Sequence, residues 1–389
     1  ENGQLIFICP EYWMSTTHSI KLRNYMVSNG YFEEIYHFNE TPIFDKVAVS
    51  IVIFKYIKSK NKKSTINVAK YFANRKLTSD ILDKLFNKEL FDDVNYLRIP
   101  QFQTNDRWLL ESEGTQVKLK IFETACLANQ FSNTINIFAD DEPKFNTIGD
   151  YCDIGNGLVS GLDKAFQVNG FPLNDAELQS TLNVVKAKDL SPYFANNFTK
   201  YIFVKEGLAE DEFKATYPSF FLHFQKYRDD LGKRYQYNKT INYWEWVFLR
   251  NFNLFSRDEK RIFVPCKERI SNKDYFRFSL VDSGVFPTQD VTAIFKKKST
   301  KESIEYILAF LNNPAVFEWL KCNGIVKGSI VEFSEKPISS IPFRAIDWNK
   351  PKEIALHNSI TTLTNDYLIS NDKTITSQIN QLLNELFEL

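Results

Sequence analysis

Residues 3–13 have the sequence Gly-Gln-Leu-Ile-Phe-Ile-Cys-Pro-Glu-Tyr-Trp, an apolar run of strand length that stops at a proline. A continuous apolar run of this kind is typical of a strand that is covered on both faces. The next segment predicts a helix that ends at Asn29-Gly30. Two further strands are predicted over 33–38 and 47–54, and the second is rich in β-branched residues.

The order strand, helix, strand, turn, strand is that of the closing part of an α/β sheet, with the last two strands as a hairpin. A complete doubly wound domain needs several more βα units before these elements. We therefore expect residues 1–56 to be the C-terminal part of such a domain. Because the sequence does not begin with Met, we interpret the chain as processed or truncated.

Changes in composition divide the rest of the chain. Helical periodicity predicts a mostly helical connector at 57–145. Glycines among β-forming residues over 148–168 predict strands and tight turns, and they open a mixed α/β domain at 146–343. Two apolar stripes predict a helical C-terminus at 344–389. The predicted fold class is α/β, with a mixed second domain and terminal helices.

The overall composition is that of a globular protein. Of 389 residues, 43% are hydrophobic and 25% are charged, which argues against disorder. No apolar run is long enough to cross a bilayer. The five cysteines are widely spaced, with no pair at metal or redox spacing, so we expect reduced thiols, no metal site and a cytoplasmic location.

The common catalytic motifs do not occur in this sequence, including the Gly-rich phosphate loop, His-Glu-x-x-His and Gly-x-Ser-x-Gly. The histidines are isolated, and we interpret them as structural or surface residues: His18, His37, His223 and His357. Residues 9–13 follow a buried strand, at the end where α/β sheets bind ligands. The loop 41–46 carries Phe44, which can stack on a planar ligand or fill the core. Pattern alone favours a core role for both segments.

Residues 226–277 combine positive charge with aromatic side chains. This stretch holds thirteen Lys and Arg against seven Asp and Glu. Lys and Arg neutralise phosphates, and flat side chains stack on bases. Basic helices are also common solvated faces, so the sequence leaves DNA binding and a bland surface about equally favoured. The whole chain carries 48 basic and 48 acidic residues, and its net charge identifies no partner.

The order of several short segments resembles the C-terminal part of the gamma-class DNA adenine-N6 methyltransferases, the TaqI-like enzymes of restriction-modification systems. The resemblance covers nearly the whole chain, and the order and spacing of its motifs make it specific. The segments that carry it are 3–13, 21–25, 35–38, 43–44, 47–54, the Gly-rich Ile154-Gly155-Asn156-Gly157-Leu158-Val159-Ser160-Gly161, 165–166, 311–314, 327–330, 338–342 and 382–387.

This resemblance implies a Rossmann-like methyltransferase sheet, a target-recognition domain that binds double-stranded DNA, and a target adenine flipped from the duplex. The family's Gly-rich cofactor motif and its Asn-Pro-Pro-Tyr catalytic motif do not occur here, and the nearest string is Asn312-Asn313-Pro314-Ala315. We therefore expect S-adenosylmethionine to be bound upstream of this chain, and this chain alone to be inactive. Its expected partners are DNA and an N-terminal catalytic half or a separate catalytic chain.

The resemblance also indicates site residues. Phe44 occupies the position of the aromatic that stacks on the flipped adenine. For DNA binding we select basic residues of the recognition domain, whose roles at phosphates or base edges the sequence does not separate. They are Lys233, Arg234, Lys267, Arg269 and Lys327.

Two other functions stay open at this point. The first is a DNA-binding specificity subunit that acts in trans with a separate catalytic chain. The second is a non-catalytic interaction protein that has the same fold. The sequence also leaves open whether a nuclease domain is fused upstream.

Overall fold

The computed structural model describes residues 3–39, 41–44, 49–73, 75–105, 108–127, 145–168, 170–204, 206–236, 240–270, 273–327 and 330–388. The chain divides into two compact units. The first unit contains Glu1–Ile121 with Arg269–Ser271 and Lys321–Val331. The second contains Phe122–Glu268, Asn272–Leu320 and Glu332–Leu389.

The elements before residue 128 are β1 (Gln4–Pro10), α1 (Ile20–Asn29), β2 (Gly30–His37), β3 (Ile51–Lys58), β4 (Thr65–Tyr71), α2 (Ser79–Phe86), β5 (Val94–Pro100) and α3 (Glu113–Ala125). The strands form one sheet in the order β1-β3-β2-β4-β5. Strand β3 is antiparallel to both β1 and β2, while β4 is parallel to β2 and antiparallel to β5. The predicted hairpin of β2 and β3 is confirmed.

Aromatic side chains form the core of the first unit. The ring of Phe32 lies 5.3 Å from that of Phe54 and 5.1 Å from that of Trp108. Phe102 stacks on Trp108 at 4.5 Å. Edge-to-face and stacked pairs of this kind add to the free energy gained by burying the rings, so they hold one face of the sheet together.

The expectation that β1 is covered on both faces is wrong for the described residues. Leu5, Ile6, Phe7 and Ile8 are 42–70% exposed. Strand β1 lies at the edge of the sheet, and β3 is the only strand of the described ranges that pairs with it. A continuous apolar run predicts burial, and the described part of the chain does not supply the atoms that would bury it.

The expectation of a mostly helical connector at 57–145 is also wrong, because the segment contains strands as well as helices. Strands β4 and β5 lie in this range and extend the sheet. In β4, the side chains of Ile66 and Val68 are buried while Asn67 between them is exposed. This alternation with a period of two residues is a strand signal, and the interpretation of the segment as helical overlooked it. Residues 128–144 lie outside the described residues.

The elements between residues 145 and 260 are α4 (Ile148–Tyr151), β6 (Cys152–Asn156), α5 (Asp163–Phe166), α6 (Asp175–Gln179), β7 (Thr181–Val185), β8 (Tyr193–Phe194), β9 (Thr199–Ile202), α7 (Glu210–Thr216), α8 (Pro218–Gln225), α9 (Arg228–Gly232) and α10 (Phe252–Phe255).

The remaining elements are β10 (Arg261–Pro265), β11 (Lys267–Arg269), β12 (Ser279–Val281), β13 (Val285–Pro287), β14 (Val291–Lys296), α11 (Ile304–Leu311), α12 (Pro314–Asn323), β15 (Ile325–Lys327), β16 (Ile330–Glu332), α13 (Glu335–Ser339), α14 (Pro351–Ser370) and α15 (Thr374–Phe387). Their sheets have the orders β6-β14-β10-β12-β8, β13-β7-β9 and β11-β16-β15. The predicted terminal helices are present as α14 and α15, and they fall in the same compact unit as β6 to β10. No helix among the described residues is long and apolar enough to cross a membrane.

The second unit has a large aromatic core, and buried arginines lie within it. Phe213 stacks on Trp244 at 4.4 Å, and Trp246 donates its indole N–H to the carbonyl of Ile202 at 2.9 Å. Arg261 is fully buried, and its guanidinium donates to main-chain carbonyls and lies 4.8 Å from the ring of Phe295. A buried cation is tolerated only where such partners replace water.

Gly157 marks a close approach of two chain segments in the second unit. Its N–H donates to the carbonyl of Val291 at 3.0 Å, and its own carbonyl accepts from Nε of Arg250 at 2.7 Å. A Cβ at this position would lie 2.0 Å from the carbonyl oxygen of Thr288. Only glycine fits between these backbones without a shift of the main chain.

We therefore expect Gly157→Ala to lower the free energy of unfolding by at least about 2 kcal/mol, because the added methyl group meets backbone rather than a flexible side chain. Urea unfolding followed by circular dichroism measures this. The matched control is Gly232→Ala, where nothing lies within 4 Å of the added Cβ. Equal stability of the two variants would contradict the close approach.

Candidate functional site

The first sheet brings several chain segments to one edge. Strands β1 and β2 are both antiparallel to β3, so they point the same way, and β4 is parallel to β2. The carboxyl ends of β1, β2 and β4 therefore lie at the same edge as the start of β3. Ligands of open α/β sheets bind at this kind of edge.

Three polar side chains meet at this edge, and we call them the Glu11 cluster: Glu11, His37 and Ser50. Nε2 of His37 lies 2.9 Å from Oε2 of Glu11. Oγ of Ser50 donates to the same carboxylate oxygen at 2.6 Å and lies 3.3 Å from Nε2 of His37. The N–H of Glu11 also donates to the carbonyl of Ser50 at 2.9 Å. The end of β1, the end of β2 and the start of β3 are thus tied to one another.

The Glu11 cluster stabilises the ionised carboxylate. Burial opposes ionisation of Glu11, but the charge of His37, hydrogen bonds from His37 and Ser50, and the charge of Lys70 together lower its pKa to about 2. Lys70 itself lies at the end of β4 and pairs with Glu111 at 2.6 Å. Glu11 is therefore an anion at any physiological pH.

The cluster does not have the geometry of a hydrolytic Ser-His-acid triad. In that arrangement the acid and the serine contact different nitrogens of the imidazole. Here both Glu11 and Ser50 lie at Nε2 of His37, and Ser50 donates to the carboxylate directly. These contacts are structural, because they hold His37 and Ser50 at the same oxygen of the Glu11 carboxylate.

The motif after β1 divides between site and core. Glu11 belongs to the cluster, while Tyr12 is 60% exposed. Trp13 packs in the core, with its ring 5.6 Å from Phe54 and 5.3 Å from Trp108. The core role that the pattern favours thus describes Trp13 but not Glu11 or Tyr12.

The loop between β2 and β3 covers residues 38–50, and we call it the Phe44 loop. Phe44 is 48% exposed, whereas its neighbour Ile43 packs against a small core with Phe38 and Tyr71. Thr41 is buried and donates through Oγ1 to the carbonyl of Ala73 at 2.7 Å. Ile43 and not Phe44 is therefore the residue that fills the core. Residues 40 and 45–48 of the loop lie outside the described residues.

The five basic residues selected from the sequence have different environments. Lys233, after α9, and Lys267, on β11, have exposed side chains. Arg269 is also exposed and follows Glu268, which is buried on the other side of β11. The side chain of Lys327 lies outside the described residues.

Arg234 is buried, and the structure uses its guanidinium within the protein. Only 8% of the residue is exposed. Its N–H groups donate to main-chain carbonyls, namely those of Leu231, Ser160, Glu245, Asn242 and Tyr243, at 2.6–3.3 Å. Burial lowers its pKa to about 10, so it keeps its charge. With its donors satisfied internally, Arg234 is not carried into the proposed DNA contacts.

Most aromatic residues of the basic stretch are also core residues. Trp244 and Trp246 are buried, and Tyr243 packs against Phe213 and Trp244. Tyr235 is the contrast, with 69% of its surface exposed. The core therefore explains much of the basic and aromatic pattern. Exposed lysines and Tyr235 are the residues of this stretch that are accessible to a partner.

The interpretation of the isolated histidines as structural or surface residues holds for His18, which is exposed, and for His223 and His357, which make internal contacts. His223 contacts the carbonyl of Ala165 at 3.0 Å, and burial lowers its pKa. His357 accepts from the N–H of Ser303 at 3.1 Å. His37 is different, because the sheet places it beside Glu11 and Ser50. Glu11 follows the first predicted strand and His37 lies near the end of the second, but Ser50 lies within the predicted strand 47–54. Only the observed sheet topology brings the three residues together.

The ionised state of Glu11 makes a prediction about stability and pH. Its folded pKa of about 2 lies below the ordinary 4.5, so its contribution is present above pH 4.5 and is lost as the pH falls towards 2. Its side chain is 40% exposed, which weakens the interaction, so we expect Glu11→Gln to cost about 1–2 kcal/mol at pH 7. Urea unfolding at pH 7, 5 and 3 measures this deficit, which should shrink at pH 3. A deficit that is constant or larger at pH 3 would contradict the assignment.

Comparisons with known proteins place the chain in a family. It is 46% identical over 384 residues to the Type II methyltransferase M.HindII of Haemophilus influenzae Rd, covering 99% of the chain and 72% of that protein. It is 43% identical to M.HincII of Haemophilus influenzae, covering 99% of the chain and 71% of that protein. No protein-family profile matches.

A solved structure shares the fold at much lower sequence identity. The Type IIL restriction-modification enzyme MmeI, solved in complex with DNA, matches 99% of the chain and 46% of its own chain with a TM-score of 0.58 and 11% identity. This likeness confirms the predicted α/β fold class. The family follows from the two relatives alone: the chain belongs to the Type II DNA methyltransferases of restriction-modification systems.

Proposed function

We propose that this chain is the DNA-recognition part of an S-adenosylmethionine-dependent adenine-N6 methyltransferase, and that Phe44 stacks on the flipped adenine. The observation that carries the proposal is the exposed ring of Phe44 at the strand-end edge of the first sheet. An enzyme that methylates a base must take it out of the duplex and hold it by its flat faces. An aromatic side chain held out of the core is suited to that task.

The recognition surface is proposed to lie on the second unit, with exposed lysines such as Lys233 and with Lys267. Phosphate contacts fix the register of a protein on DNA, and base contacts select the sequence. Support comes from the exposure of both side chains and from the fold shared with MmeI, which was solved with DNA. Arg269 and Lys327 belong to the first unit, and they stay as separate candidates for contact with DNA.

The cofactor is proposed to be held by residues outside this chain. At the strand-end edge, the polar atoms of Glu11, His37 and Ser50 are hydrogen-bonded to one another, and the family's cofactor and catalytic motifs do not occur in the sequence. When bound, S-adenosylmethionine supplies the methyl group. No residue of this chain is assigned to it, so the chain alone is expected to be inactive.

The exposed face of β1 supports a preceding catalytic half, or a separate catalytic chain, as the partner. Large exposed apolar patches mark interaction surfaces, and an edge strand offers unpaired backbone groups to another strand. Ile6 is 70% exposed and Phe7 is 51% exposed on this edge. We place the assembled enzyme in the cytoplasm, where its DNA is.

The role of Phe44 is tested by Phe44→Ala in the methylating enzyme that contains this chain. Base–aromatic stacking is worth about 1–3 kcal/mol, so we expect the single-turnover methylation rate to fall about 5- to 100-fold. The fluorescence of a 2-aminopurine placed at the target position should also differ from that seen with the unchanged enzyme, because the flipped base is held less firmly.

The matched control is Phe86→Ala, which removes another exposed ring, on α2. It should leave both the rate and the fluorescence near those of the unchanged enzyme. If Phe44→Ala behaves like Phe86→Ala, the proposed stacking role is wrong.

The proposed phosphate contacts predict a change in salt dependence. Each phosphate contact adds about 0.9 to the slope of log K against log salt concentration. We expect Lys233→Gln and Lys267→Gln each to reduce that slope by about 1, with equal weakening across DNA sequences. Lys373→Gln, on an exposed turn between α14 and α15, is the control and should leave the slope unchanged. An unchanged slope in the first two variants would remove them from the interface.

A further inference from the structure

The Phe44 loop leaves the first sheet at His37 and re-enters it after Ser50. Both of these residues contact the same oxygen of Glu11, at 2.9 Å and 2.6 Å. The main chain repeats the connection, since the N–H of Glu11 donates to the carbonyl of Ser50. One carboxylate therefore holds both ends of the loop that carries Phe44.

The described middle of the loop is held from the other side. Asn39 donates through its side-chain amide to the carbonyl of Tyr71 at 2.7 Å, and Thr41 donates to that of Ala73. Ile43 packs into the small core beside Tyr71. These contacts hold Asn39, Thr41 and Ile43 against the end of β4, while the Glu11 cluster fixes the two points where the loop joins β2 and β3.

We propose that Glu11 is a positioning residue for base stacking: its carboxylate sets the distance between the two ends of the Phe44 loop and so the place of the Phe44 ring. Glu11 contacts both ends of the loop directly, because its carboxylate lies within hydrogen-bond distance of His37 and Ser50. This inference rests on the proposed function of Phe44. It assigns Glu11, His37 and Ser50 a task that is separate from contact with the base.

The test uses Glu11→Gln in the methylating enzyme that contains this chain. The amide keeps the size of the carboxylate but cannot accept two charge-assisted hydrogen bonds on an anionic oxygen. Because small displacements of a positioning group have large effects on rate, we expect the single-turnover methylation rate to fall about 10-fold or more. The KM for DNA should change by no more than about 2-fold, since phosphate contacts are not altered.

Coupling to Phe44 distinguishes positioning from other roles. In the Phe44→Ala background, Glu11→Gln should have little further effect on the rate or on 2-aminopurine fluorescence, because the ring that it positions is gone. A full additional loss in the double variant would overturn the inference. Rates are compared at a temperature where every variant is folded, so that a simple loss of stability does not count as support.

Two matched pairs of variants complete the design. Ser50→Ala should slow methylation, and Ser50→Thr, which keeps the hydroxyl, should restore the rate. Glu33→Gln is the control carboxylate, because Glu33 lies on β2 in the same sheet and pairs with Lys55 at 2.6 Å and with Lys63, not with either end of the loop. It should methylate normally.

The outcomes separate the two proposals. If Phe44→Ala itself leaves methylation and fluorescence unchanged, the proposed stacking function fails. If Phe44→Ala slows the enzyme but Glu11→Gln and Ser50→Ala do not, the stacking function stands and only the positioning role of Glu11 is wrong.

Discussion

Strand β3 runs between β1 and β2 in the opposite direction, and the candidate site in the first unit depends on that placement. It makes β1 and β2 point the same way, so their ends meet at one edge. Glu11, His37 and Ser50 are distant along the chain, but this topology places them within hydrogen-bond distance. The loop that carries Phe44 begins and ends at the same place. If β3 ran in the other direction, or if the order of the strands were exchanged, Glu11, His37, Ser50 and the Phe44 loop would not meet at one edge.

Burial of charge is the second constraint, and it acts in the second unit. Arg234 and Arg261 lie among aromatic rings, and both satisfy their guanidinium groups with main-chain carbonyls. Loss of either partner set would leave a charge without water or protein contacts, which is strongly destabilising. These arginines therefore fix the loops whose carbonyls they bind. A basic, aromatic sequence can be a core as well as a DNA surface.

Much of the fold was predictable from local patterns. The β2–β3 hairpin and the terminal helices follow from runs and stripes that are visible in the sequence. The prediction of a mostly helical connector is wrong, because the alternation of Ile66, Asn67 and Val68 in β4 is a strand signal and not a helical one. The exposure of β1 was not predictable, since an apolar run indicates that a strand is covered without saying by what.

The site was predictable only in part. Phe44 came from a family resemblance, and the structure adds that its ring is exposed while Ile43 fills the core. The pairing of Glu11 with His37 was not predictable, because nothing in the linear sequence joins the end of one strand to the end of another. Arg234 shows the opposite case, in which a charge in a basic segment gives no sign that it is buried.

Selection on a randomised duplex library tests the central claim most directly. The chain, alone and together with the proposed catalytic half, is used to capture DNA, and the bound pools are sequenced at several salt concentrations. We predict that one short motif containing an adenine is enriched, with affinity that falls steeply as salt rises. Recovery of no motif in either case would contradict the account of this chain as a DNA-recognition part of a methyltransferase.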